Sequence, residues 1–178
     1  MSTKKMATDA MLSAVCAVLG YIALDLGTLK ITFESLPVIF AALMFGPVDG
    51  VLVGGIGTFI YQILRYGFSP TTALWILPYI VAGLAAGMYA KKHEFSNSDR
   101  ELRMIILFAE LIIFIFNTLA IYVDSKVFGY YSVPYVWGKV GIRLLICIIK
   151  SVVFGIFTPK ILIKLSRFTG NGRKNEKI

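Results

Sequence analysis

Long apolar runs separated by short polar joints set the pattern of this chain. Between Glu34 and Lys92 three runs follow one another almost without pause, ESLPVIFAALMF, GPVDGVLVGGIGTFIYQILRY and GFSPTTALWILPYIVAGLAAGMYAKK. Each joint carries helix breakers, Gly46-Pro47 and then Gly67 to Pro70. The first run, Ser35 to Phe45, makes a helix only about 17 Å long at ~1.5 Å per residue, short of the ~30 Å hydrocarbon core of a bilayer. The whole pattern predicts six helices, approximately Lys5 to Leu26, Ser35 to Phe45, Val48 to Arg65, Thr72 to Ala90, Leu102 to Asp124 and Val136 to Ile163. Ser35 is placed to cap the second helix and Pro37 to sit in its first turn. Pro78 predicts a kink in the fourth. Gly50, Gly54 and Gly57, and again Gly83 and Gly87, leave smooth strips for close helix packing.

Composition turns these runs into membrane helices. Of 178 residues, 57% are hydrophobic and 16% charged, and mean hydropathy is +0.77; soluble domains carry about a quarter charged residues. The net charge of +8 belongs to basic residues flanking apolar spans, which suits anionic lipid headgroups and not nucleic acid. Lys and Arg concentrate at the N-terminus (Lys4, Lys5), in the loop after the fourth helix (Lys91, Lys92, Arg100, Arg103) and in the C-terminal region. The positive-inside rule then puts both termini in the cytoplasm and the first, third and fifth loops outside. The first run has a basic tip, but Asp9 interrupts it and no small-residue cleavage site follows, so it reads as a retained span. Residues 1–166 read as one all-α integral membrane domain, and 167–178 as a basic, disordered cytoplasmic tail.

Candidate chemistry lies inside the spans, where ionisable groups are costly unless paired, hydrated or functional. Glu110, Asn117 and Asp124 recur every seven residues on one face of the fifth helix. Lys139, Arg143 and Lys150 form a basic stripe on the sixth. Glu110 is expected to pair with Lys150 and Asp124 with Lys139, which leaves Arg65 and Arg143 as surplus cations. Trp75 and Tyr79, four residues apart, form either an interfacial belt or a wall for a ring. Surplus cations beside aromatic walls and an outward opening suit an anionic ligand with an apolar or ring body. Cys16 and Cys147 lie in apolar runs with no metal spacing, and the single His93 lies in a polar loop, so no metal site or cofactor is expected. No nucleophile, zinc or nucleotide-binding motif appears, so an enzyme is not expected. An ion-coupled transporter working alone, with Glu110 and Lys150 as relay groups, stands as the alternative to a binding subunit.

The stretches ITFESLPVIFAALMFGPVDGVLVGGIGTFIYQ and YGFSPTTALWILPYIVAGLAAGMYA carry a resemblance that extends over nearly the whole chain. They resemble the substrate-binding S component of energy-coupling factor (ECF) vitamin transporters, most closely the folate-type branch. Thr58 departs from the acidic residue frequent there, and YGFSPTTALW also resembles pantothenate-type members. The resemblance implies a six-helix bundle with an outward vitamin pocket closed by the first and third loops. It also implies a T subunit and two ATPase subunits as partners, with Ala10 and Ala14 in the alanine motif that docks on the T subunit. With folate as first ligand and pantothenate next, the expected substrate-binding residues are Arg65, Tyr66, Trp75, Tyr79, Asn117, Tyr131 and Arg143.

Overall fold

The computed structural model describes residues 3–25, 30–93 and 98–169. Helix α1 (Thr3–Tyr21) leads into a two-residue antiparallel ribbon, β1 (Leu24–Asp25) with β2 (Lys30–Ile31). Then come α2 (Ser35–Phe45), α3 (Pro47–Tyr66), α4 (Thr72–Lys92), α5 (Asp99–Val127), the four-residue α6 (Val133–Val136) and α7 (Val140–Thr169). Among the described residues four helices, α3, α4, α5 and the segment ending in α7, are long and apolar enough to cross a membrane. The predicted reach of the first helix to Leu26, part of the polar loop (94–97) and residues 170–178 of the basic tail lie outside the described residues. Within them, α1 stops at Tyr21, short of its predicted end, and α7 continues past the expected boundary at residue 166.

Helix α2 sits at the centre. Val38, Ala41 and Ala42 are fully buried and Ile39 and Leu43 nearly so, and α1, α3, α4, α5 and α7 all touch it. A helix apolar all round must be enclosed on every side. The predicted Ser35 cap is not formed: Glu34 precedes the helix, and the buried Ser35 hydroxyl has no hydrogen-bond partner. Helix α5 has a full capping box, with Ser98 accepting from the Glu101 amide and the Glu101 carboxylate accepting from that of Ser98. Helix α4 runs through Pro78 without a break.

Helices α3 and α4 approach almost backbone to backbone. A Cβ on Gly83 would lie 2.6 Å from the Gly50 carbonyl oxygen, and one on Gly50 2.8 Å from that of Gly83. The same device brings α1 onto α3, where a Cβ on Gly57 would meet Cys16 at 2.6 Å. At the N-terminal ends of these two parallel helices, Lys5 Nζ lies 2.9 Å from the buried Asp49 carboxylate. The far sides of the helices expose Leu64, Met104, Phe108, Ile115, Leu119, Leu145, Val152 and Phe157. That surface needs hydrocarbon as its solvent.

Candidate ligand cavity

The close packing of α1 to α4 gives way to open space bordered by α3, α4, α5 and α7. A cavity of about 620 Å³ opens there, within the range of small-molecule sites. One wall is α5, whose Glu110, Asn117 and Asp124 all line it, with Phe114 and Thr118 between them. The seven-residue repeat therefore carries through as one face. At ~1.5 Å per residue the three side chains mark a run of about 21 Å. A second wall is Trp75 and Tyr79 of α4, with Tyr61, Gln62 and Tyr66 from the end of α3. Arg143, Ile146, Cys147 and Lys150 of α7 form the third side, while Ile31, Thr32 and Glu34 close in from the segment before α2.

The polar groups fall into three sets. At the end near α6, Asp124 gathers donors: its Oδ1 accepts from the Thr71 hydroxyl and from Trp75 Nε1 at 3.4 Å, and its Oδ2 accepts from the Tyr130 hydroxyl. Burial and the Asp124 carboxylate push the Tyr130 phenol well above its ordinary range. The expected Asp124–Lys139 ion pair is not formed, because these three donors reach the carboxylate first; the Lys139 ammonium lies 5.5 Å from the Tyr135 ring instead. Asp124→Ala removes one acceptor from three donors and is expected to cost roughly 1–3 kcal/mol, read as a lowered thermal midpoint of the detergent-purified protein. Midway, Tyr79 and Thr32 both donate to Glu34 Oε1, and the Cys16 thiol donates to the Glu34 carbonyl at 3.3 Å. At the far end, Lys150 Nζ lies 3.0 Å from Glu110 Oε2, the pairing that the two stripes predict.

Of the residues singled out from sequence, Tyr66, Trp75, Tyr79, Asn117 and Arg143 line the cavity; Arg65 and Tyr131 do not. Arg65 turns aside to donate to the Tyr21 carbonyl at 2.8 Å, closing the end of α1. Tyr131 packs edge-on to Tyr122 at 5.6 Å, with the Lys126 ammonium 3.9 Å from its ring centre. Tyr130, between α5 and α6, and Tyr135, within α6, take the lining positions. Sequence reasoning also left out Glu34, a buried carboxylate whose signal was its position just before a wholly apolar helix. Ala10 and Ala14 on α1 are exposed, whereas Ala17, one turn further on, is buried. Among the described residues no cluster of His, Cys, Asp and Glu could hold a metal ion.

The fold is similar to that of the S component of a bacterial ECF transporter, with TM-score 0.65 and 24% identity over 95% of this chain and 99% of that one. It is also similar to the S component for biotin from an ECF-type ABC transporter, with TM-score 0.66 and 14% identity over 90% of this chain and 94% of that one. Comparison with curated proteins gave no match. Residues 4–165 match the family described as ECF transporter, substrate-specific component, and the chain belongs to that family: it is a membrane-embedded transport subunit, not an enzyme.

Proposed function

We propose that this subunit captures a small anionic vitamin from outside the cell and passes it to an energising module of a T subunit and two ATPase subunits. Folate is the leading ligand and pantothenate the next. The observation that carries the anionic reading is Arg143. Its half-buried guanidinium borders the cavity and makes one long hydrogen bond, 3.4 Å to the Val136 carbonyl. A guanidinium has five N–H donors in a fork that fits a carboxylate. Trp75, Tyr79 and Tyr66 supply ring-binding surface beside it, and Asn117 an amide. Exposed Lys91, Lys92, Arg100, Arg103 and Lys160 lie at the opposite end of the helices, which supports cytoplasmic termini and an outward cavity. Exposed Ala10 and Ala14 on α1 support docking of the T subunit there.

The test is to extract the purified protein and identify any small molecule retained by mass spectrometry, then to measure uptake of that molecule in vesicles. A vitamin carrying an acid group is expected, with uptake only when the T and ATPase subunits are present. Uptake by this chain alone would overturn the reading in favour of an ion-coupled transporter, and retention of a neutral or cationic molecule would overturn the anionic assignment.

A further inference from the structure

The Glu110–Lys150 ion pair is incomplete. Both side chains are nearly buried, 2% and 11% exposed, and Lys150 Nζ meets only Glu110 Oε2, with the Phe154 ring 5.7 Å away. Glu110 Oε1 is buried with no hydrogen-bond partner. An ammonium has three donors and a carboxylate about four acceptor positions, and a buried charged oxygen left unmet is costly. A pair built only to neutralise two charges would not leave this oxygen bare while bordering a cavity of about 620 Å³. Both residues line the cavity, so its inner end offers an acceptor beside a donor. The complement of that array is an N–H next to a C=O, the edge of a cyclic amide or urea.

Arg143 is on the same helix seven residues earlier, two turns and about 10 Å along the axis. Trp75 and Tyr79 line the same space. We propose that Glu110 and Lys150 form a second recognition end, so that the ligand is two-ended, with its acid group on Arg143 and a planar ring edge of adjacent N–H and C=O on the ion pair. This inference rests on the vitamin-capture reading and narrows its substrate class. It selects molecules in which acid and ring edge stand on the order of 10 Å apart, and it disfavours open-chain acids.

Binding to the full-length protein in detergent is read by tryptophan fluorescence, Trp75 lying in the wall. Three probes are used. Folate and biotin each join an acid to a ring with adjacent N–H and C=O; pantothenate joins an acid to an open-chain amide. Folate or biotin is expected to bind roughly tenfold or more tighter than pantothenate. Glu110→Gln is expected to weaken the better probe by roughly tenfold or more, while the loss on esterifying the probe's acid stays the same. Should that variant fail to fold, the wild-type protein carries the test: N-methylation of the ring edge and esterification of the acid should each weaken binding by roughly tenfold or more. Pantothenate binding as tightly as the ring probes, or ring methylation without effect, overturns the two-ended ligand and leaves vitamin capture standing. Failure of all three probes to bind overturns both.

Discussion

Gly83→Leu is expected to prevent assembly of the bundle: the variant should elute as aggregate on size exclusion in mild detergent, where the wild type elutes as a single species. The cause is local and unforgiving. The atoms that a side chain at 83 would strike are the Gly50 carbonyl oxygen at 2.6 Å and carbon at 2.7 Å, and backbone cannot rotate aside as a side chain does. Overpacking in a core costs about 1–3 kcal/mol where neighbours yield; here α3 and α4 must separate, and α2 packs against both. Gly55→Leu is the control. Its Cβ would meet only the tip of Ile80 at 3.6 Å, and it should purify like the wild type. If Gly83→Leu elutes with a wild-type profile and thermal midpoint, the account of the α3–α4 contact is wrong.

The second large effect is on binding. Arg143→Gln should weaken retention of the acidic ligand by roughly ten- to a hundredfold, the worth of a charge-assisted hydrogen bond of ~1.5–3 kcal/mol. Stability should barely change, because the guanidinium's one hydrogen bond within the protein is long, 3.4 Å. Arg65→Gln should show the reverse pattern. That side chain holds the Tyr21 carbonyl at 2.8 Å and stands outside the cavity lining, so its loss should lower the thermal midpoint and leave affinity within about twofold. Affinity falling with Arg65→Gln and not with Arg143→Gln would reverse the roles assigned to the two cations.

Much of the bundle is legible in the chain because lipid and glycine leave strong marks. Ser35 and Phe45 bound α2 as predicted, since Gly46-Pro47 ends one helix and begins the next. The Glu110–Lys150 pair is legible too, because two stripes of opposite sign on hairpin neighbours have few other ways to neutralise. What fails is local and depends on packing. The apolar run of α1 gives no hint that the chain turns into a ribbon after Tyr21. Helix α6 is missed because four residues show no period, although Ser132 caps it by accepting from the Tyr135 amide. Between α5 and α7 the sequence shows Tyr130, Tyr131 and Tyr135 close together but not which of them line the cavity; Tyr130 and Tyr135 do and Tyr131 does not. Arg65 and Arg143 are alike as sequence signals, and nothing in the pattern of the chain shows that one of them reaches the Tyr21 carbonyl.

The short, largely buried α2 has a consequence for how the protein is made. Its eleven residues reach only about half-way through the hydrocarbon layer, so on leaving the ribosome it has no span of its own to occupy. One end of its backbone would stop in oil with polar groups unmet. It must therefore be carried in as part of a hairpin with α3 and is sealed only when α4 closes against the glycine face, which makes the order of synthesis a part of the folding route.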